Sequence, residues 1–146
     1  MVESLWSDVD LLRRGYIRRL ESVCGRFGLT RMELDVLLFL ASNPTRDTAA
    51  EMIRTRGFSK SHVSAAVKGL IQRGCLRGVT KSGNHKAIHL QFLPGAEEAV
   101  QAGQAAQEEF FRLLFQTISP EERETLVRVL SRMVAQLAAE NQKENP

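Results

Sequence analysis

The sequence predicts a mainly α-helical protein that carries one small β-hairpin. Apolar residues recur at steps of three and four residues over most of the 146-residue chain, which is typical of amphipathic helices. After Gly74 the apolar period shortens to two, which is typical of strands, and it lengthens again after Pro94. Hydrophobic residues make up 43% of the chain and charged residues 25%, as in ordinary globular proteins. We therefore expect one folded domain with a core of its own and additional helices.

The chain is expected to begin with two helices. The apolar repeat of residues 1–28 predicts one long amphipathic helix that ends at the glycines near Gly28. A second helix is predicted after Thr30, because threonine can cap a helix N-terminus and Glu33 stands where a capping box requires it. The run of residues 34–40 is almost entirely apolar, so this second helix is predicted to be central and buried.

Two short helices with a tight turn between them are predicted next. Asp47 or Thr48 can cap the first of them, and Gly57 supplies a turn residue that tolerates a left-handed backbone. Ser59 is expected to cap the second, which spans about residues 60–73.

A β-hairpin is predicted over about residues 76–92, with strands at 76–81 and 86–92 and a turn between them. In the second strand the apolar residues are expected to point inward and the polar residues outward. The inward set is Ile88, Leu90 and Phe92, and the outward set is His89 and Gln91.

Two further helices are predicted to follow the hairpin. The first spans about Ala96 to Thr117, and the second begins with Ser119 as its cap and Pro120 at its first position. A polar tail is expected over residues 141–146. The chain is thus divided into an N-terminal helix, a central unit and C-terminal helices, over residues 1–28, 29–93 and 94–146.

Charge is distributed unevenly along the chain. From Met52 to Ala96, here called the basic window, there are eight lysines and arginines, all three histidines and no acidic residue. An acid-free basic block indicates a surface that meets a polyanion. No apolar stretch is long enough to span a membrane, and the window lacks the aromatic and basic helix of an interfacial anchor.

A helix-turn-helix followed by a basic hairpin is a winged helix-turn-helix. Its second helix enters the major groove of DNA, while the hairpin, or wing, reaches the flanking backbone or minor groove.

Several short motifs carry a family resemblance. They are Leu29-Thr30 with the apolar run to Leu40, Glu51-Met52-Ile53, Gly57-Phe58-Ser59-Lys60-Ser61-His62-Val63-Ser64, and Val67, Leu70 and Gly74. In order and spacing they resemble the MarR family of bacterial transcriptional regulators. The resemblance implies a winged helix-turn-helix protein in which the first helix and the last two helices form a dimer. It also implies that a small aromatic or anionic effector binds between the winged helix and the dimer helices.

The sequence departs from the family pattern at three places. Asn84 and Lys86 stand where the wing of the family usually carries an Asp-x-Arg pair, so a more mobile or differently oriented wing is expected. Arg56 stands where a buried leucine is common before the turn glycine. Leu93-Pro94 replaces a Leu-Thr pair, one residue short of the usual spacing.

The candidate DNA contacts lie on the wing and on the helix predicted over about residues 60–73, here called the recognition helix. Short hydroxyl, imidazole and basic side chains opposite the apolar stripe of the helix can reach phosphates or base edges, while wing-tip residues can reach phosphates or the minor groove. Arg73 and Arg77 are expected to be phosphate clamps or structural ion pairs. The full set is Ser59, Lys60, Ser61, His62, Ser64, Ala65, Lys68, Arg73, Arg77, Lys81, Asn84, His85 and Lys86.

Five residues are candidates for an effector pocket. They are Arg13, Tyr16, Phe27, Met32 and Leu38. The alternative interpretation is that all of them except Arg13 are ordinary core residues.

No other chemistry is indicated by the sequence. Cys24 is a candidate redox sensor, but it lies at the end of its helix, and a packing role is the commoner one for such a residue. Cys75 falls at the start of a strand and is expected in the core. His85 and His89 have no acidic neighbour within the basic window and no helical spacing, so we expect no metal site there. No catalytic motif and no cofactor site is recognisable, so an enzyme is not expected.

These observations favour a sequence-specific DNA-binding transcriptional regulator. It is expected to be cytoplasmic, because no secretory signal is recognisable, and to be a ligand-responsive repressor that binds an inverted-repeat operator as a homodimer. Two alternatives stay open: a winged-helix module that binds protein partners, and a regulator that senses redox conditions through Cys24.

Overall fold

The computed structural model describes residues 1–144 and contains six α-helices and one antiparallel hairpin in that range. The mainly helical fold class with a two-stranded wing is therefore confirmed. In chain order the elements are α1 (Val2–Phe27), α2 (Arg31–Ser42), α3 (Ala49–Arg56), α4 (Lys60–Gln72), β1 (Leu76–Lys81), β2 (Asn84–Phe92), a single 3₁₀ turn (Pro94–Ala96), α5 (Glu97–Leu114) and α6 (Pro120–Glu144). The chain forms two compact units, residues 1–108 and the residues from 109 onward.

Most of the predicted helix caps are present. Thr30 Oγ1 accepts a hydrogen bond from the Glu33 N–H at 3.1 Å, and Glu33 Oε1 accepts one from the Thr30 N–H at 2.9 Å, which completes the capping box. Thr48, rather than Asp47, caps α3. Ser59 occupies the cap position of α4, but its side chain makes no capping hydrogen bond and lies 3.0 Å from the Ser61 hydroxyl. The predicted cap of α4 is therefore wrong in its hydrogen bonding, although the helix begins where expected.

The core of the first unit is centred on α2. Every residue from Glu33 to Leu40 is buried, which confirms the prediction of a central helix. Val63 and Leu70 of α4 are fully buried in the same cluster, together with Leu20 of α1 and Met52 of α3. The recognition helix is thus fixed by its apolar side and leaves its other side to solvent.

The hairpin differs from its predicted pattern. β2 begins at Asn84, two residues before the predicted start, and only Leu90 of the three expected inward residues is buried. Ile88 is 51% exposed and Phe92 is 43% exposed, while His89 is partly buried instead of pointing into solvent. The reason is that a two-stranded sheet has too little surface to bury a full alternating face, so the helical core covers only part of it.

The second unit is dominated by α6. Ser119 and Glu122 form a capping box at its start, with Pro120 at the first helical position, as predicted. α5 ends at Leu114 rather than at Thr117. The expected polar tail is helical as far as Glu144, and residues 145–146 lie outside the described residues. No described helix is both long enough and apolar enough to cross a membrane.

Candidate nucleic-acid interface

The solvent side of α4 presents the side chains that the sequence assigned to DNA contact. The exposed residues alternate with buried ones at helical spacing: Val63, Ala66 and Leu70 are buried. On the exposed side lie Lys60, Ser61, His62, Ser64, Ala65 and Lys68. One face of the helix is therefore available to a groove of DNA, while the opposite face holds the helix in the core.

A close approach of α4 to α2 sets the position of the recognition helix. A β-carbon at Gly69 would lie 2.9 Å from Glu33 Oε2, so a side chain at this position would displace the Glu33 carboxylate. Arg73 Nε lies 3.4 Å from the same carboxylate oxygen, and the Glu33 side chain is only 5% exposed. Arg73 is thus engaged in a structural ion pair while its side chain remains 45% exposed.

The tip of the wing is built by a tight turn and is exposed. Gly83 adopts φ 84°, a left-handed conformation that favours glycine, and residues 81–86 are all exposed. Asn84 Oδ1 accepts a hydrogen bond from the Lys86 N–H at 3.1 Å, so it orders the tip from within. Lys81, His85 and Lys86 are the cationic or titratable side chains that this turn presents.

Closer to the base of the wing, side chains bridge the two strands and reach the helices. Arg77 Nε donates to Gln91 Oε1 across the strands at 2.9 Å. His89 Nδ1 lies 2.6 Å from Asp47 Oδ1, a residue 42 positions earlier in the chain. The alternating pattern predicted that His89 points outward, and that prediction is wrong, because His89 is partly buried against Asp47. Asp47 lies outside the basic window, and no local pattern relates the two residues.

Three acidic residues that lie near the basic window in the fold have side-chain partners. Glu33 pairs with Arg73, Glu51 pairs with Arg54, and Asp47 pairs with His89. Within residues 1–144, no ion pair is formed by the exposed lysines of α4 and the wing: Lys60, Lys68, Lys81 and Lys86. The surface formed by α4 and the wing tip, here called the basic face, therefore keeps its positive charge.

One of the departures from the family pattern, at Arg56, is explained by the structure. Arg56, in place of the common leucine, is exposed and lies with its guanidinium 4.9 Å from the centre of the Phe58 ring. This stacking lets an arginine occupy the position without burial of its charge.

The five candidate effector residues lie in different environments. Met32 borders an open cleft of about 540 Å³ between the start of α2 and α4, together with Thr30, His62 and Arg73. Leu38 is only 4% exposed, and Phe27 packs partly buried against the core. These two residues fit the alternative interpretation as core.

The remaining two candidates are polar and lie on α1. Tyr16 is packed against the core, its hydroxyl accepts a hydrogen bond from Gln107 Nε2 at 2.7 Å, and the Arg31 guanidinium lies 5.7 Å from its ring centre. Arg13 is exposed and pairs with Asp10 at 3.5 Å.

Both cysteines are buried and free. Burial raises the pKa of the Cys24 thiol, although the nearby Arg31 acts in the opposite direction, and burial likewise raises the pKa of Cys75 against the effect of Arg73. A raised pKa keeps a thiol protonated and unreactive, so the surroundings of Cys24 argue against a redox sensor. Among the described residues, no group of three histidines, cysteines or carboxylates could hold a metal ion.

Comparison with known proteins finds similarity to one family. Residues 27–87 match the sequence profile of the MarR family. A MarR-family transcriptional regulator from Silicibacter pomeroyi is 18% identical, covers 88% of this chain and 86% of its own, and has a TM-score of 0.76. A MarR-family regulator from Listeria monocytogenes in complex with a 26-mer DNA is 13% identical, covers 92% and 89%, and has a TM-score of 0.82.

A third solved structure, Staphylococcus aureus MarR in complex with salicylate and kanamycin, is 14% identical and has a TM-score of 0.76. The match covers 95% of this chain and 93% of that one. No curated protein matches the sequence. At these identities the structural likeness shows a shared fold, and the profile match covers the winged helix-turn-helix itself. Together they show that residues 27–87 are similar to the MarR family and that the chain has the fold of solved MarR-family transcriptional regulators.

Proposed function

We propose that this protein represses transcription as a homodimer bound to an inverted-repeat operator. The observation that carries the proposal is the basic face, on which the exposed lysines of α4 and the wing tip form no ion pair within residues 1–144. Such a face attracts the phosphate backbone, which supplies most of the affinity for DNA. A repressor then acts by occupying the DNA that transcription needs.

Each element of the basic face has a proposed role on DNA. α4 enters the major groove, where Ser61 and Ser64 donate to phosphates or bases, Ala65 contacts a thymine methyl group, and His62 reaches a guanine. The wing tip tracks the backbone or minor groove next to it through Lys81 and Lys86. Residues 29–93 thus form the DNA-binding part of the chain.

The proposed homodimer rests on apolar side chains that the single chain leaves in solvent. No described residue of α6 is buried, and the start of α1 is exposed as well. The large exposed apolar residues of these helices are Val2, Leu5, Trp6, Val9, Leu11, Leu12, Leu126, Val127, Val129, Leu130, Met133, Val134 and Leu137. Apolar surface of this extent is rarely left in water, and a second copy of the chain presents the same residues in return.

The dimer sets the symmetry of the operator. A two-fold pair of chains presents two recognition helices in opposite directions, and these fit two half-sites about one helical turn apart. The operator is therefore an inverted repeat, with residues 1–28 and 94–146 as the dimerisation regions.

An effector of aromatic or anionic character fits the open cleft beside α4. His62 and Arg73 supply cationic or hydrogen-bonding groups there, and Met32 supplies an apolar wall. The S. aureus relative was solved with salicylate, an aromatic anion. A thermal-shift screen of aromatic acids tests the proposed effector. If no aromatic acid raises the unfolding temperature, an effector of this class is refuted.

Binding to duplex DNA is the test of the proposal as a whole. Purified protein should shift a duplex from the region upstream of its own gene at low salt, and should prefer it over a scrambled duplex of equal length. A protein with no affinity for any duplex at low salt would contradict the proposal and favour the protein-interaction module. On this proposal the protein works in the compartment that holds the chromosome.

A further inference from the structure

A side-chain pair behind the basic face joins the wing to the start of α3. His89 Nδ1 in β2 lies 2.6 Å from Asp47 Oδ1 in the loop that precedes α3. The side chains are 16% and 21% exposed, so most of the contact is shielded from water. Hydrogen bonds to a carboxylate are stronger than neutral ones, and partial burial strengthens them further.

Two backbone contacts reinforce the same junction. The Leu90 N–H donates to the Asp47 carbonyl at 2.8 Å, and Thr48 forms an isolated antiparallel bridge with His89. Thr48 is also the residue that caps α3. The base of the wing is therefore held by the residues from which α3 begins.

The tip of the wing depends on this base. Residues 81–86 are exposed, and the hydrogen bond from the Lys86 N–H to Asn84 lies within the hairpin. The orientation of Lys81 and Lys86 therefore follows from how the base of the hairpin is fixed.

We propose that Asp47 and His89 are positioning residues that set the wing relative to the recognition helix before DNA binds. α3 leads into α4 through the turn at Gly57, so a link from β2 to the start of α3 fixes the separation of the two DNA-contacting elements. Preorganisation of this kind lowers the ordering cost of binding. The inference rests on the proposed DNA binding, and neither residue contacts DNA itself.

The first test compares two variants of His89 on a duplex that the wild-type protein has selected from a randomised library. His89→Ala removes the donor, whereas His89→Asn keeps an N–H donor close to the position of Nδ1. We expect His89→Ala to weaken binding about tenfold and His89→Asn to recover most of that loss. Thermal unfolding of each sample checks the fold; if His89→Ala does not fold, Asp47→Asn, which keeps the shape and removes the charge, takes its place.

The second test asks whether His89 acts through the wing. The loss of affinity caused by Lys86→Ala should be clearly smaller in the His89→Ala background than in the wild type, because a displaced wing no longer benefits from its lysine. The loss caused by His62→Ala should be the same in both backgrounds, since His62 lies on α4. Gln91→Ala is the matched control: it removes a hydrogen bond within the hairpin and should leave the effect of Lys86→Ala unchanged.

The outcomes separate the inference from the proposed function. Effects of His89→Ala and Lys86→Ala that multiply independently, or a His89→Asn variant as weak as His89→Ala, would overturn the positioning role while DNA binding stands. If the wild type binds no duplex, the proposed function fails. Hydrogen exchange of the DNA-free protein then tests whether the Asp47–His89 pair holds the base of the wing. The Leu90 amide should exchange faster in His89→Ala than in Gln91→Ala; equal rates would overturn it.

Discussion

Replacement of both wing-tip lysines, Lys81 and Lys86, with alanine should flatten the salt dependence of DNA binding. Of the eight basic residues of the basic window, Arg54 and Arg73 pair with acids, which leaves six on each protomer. If a dimer neutralises about six to ten phosphates, the slope of log K against log salt is about −5 to −9. The double substitution removes four cations from the dimer, so the slope should become less negative by about 3 to 4.

Fluorescence anisotropy with a labelled duplex over a series of salt concentrations measures this slope. The matched control is Arg13→Ala with Lys143→Ala, which also removes two positive charges per protomer. Both control residues lie outside the basic window and pair with acids, Asp10 and Glu140. The control should therefore keep the wild-type slope, and affinity for random DNA should fall only in the wing variant.

Two results would refute the reasoning. A wild-type slope near zero would mean that phosphate contacts do not drive binding. Slopes flattened equally in the wing variant and the control variant would mean that net charge, and not the position of the charge on the basic face, determines the affinity.

Three further predictions follow from other parts of the chain. Leu130→Asp with Met133→Asp should reduce the mass measured by light scattering from twice the chain mass to 16.4 kDa and should abolish operator binding. A wild-type protein with a measured mass of 16.4 kDa would contradict the dimer. His62→Ala should cost about 1–3 kcal/mol on the selected operator and almost nothing on random DNA, as anisotropy can measure, and an equal loss on both would reassign His62 to the backbone. Because burial raises the pKa of Cys24 and Cys75, iodoacetamide should label both thiols far more slowly in the native than in the unfolded protein. Peroxide should leave the DNA affinity unchanged. Rapid labelling of Cys24 in the native protein would support the redox alternative.

The helices could be predicted because local sequence determines them. The boxes formed by Thr30 with Glu33 and by Ser119 with Glu122 involve residues three positions apart, so both partners are visible in one short segment. The exposed side of α4 could also be predicted, because helical spacing alone separates its buried residues from the others. Fold class and most of the candidate DNA-contacting surface followed from these local rules and from the missing acids of the basic window.

The tertiary structure alone decided which surfaces are covered and which distant residues meet. The alternation of apolar and polar residues in β2 predicted that Ile88 points inward. Its exposure depends instead on how much of the hairpin the helical core covers, which is decided by tertiary packing. The pairing of His89 with Asp47 joins residues 42 positions apart, and no periodicity or motif relates them. Local sequence determines backbone periods and caps because their partners are near in the chain, whereas contacts between elements arise only when the fold brings their side chains within hydrogen-bonding distance.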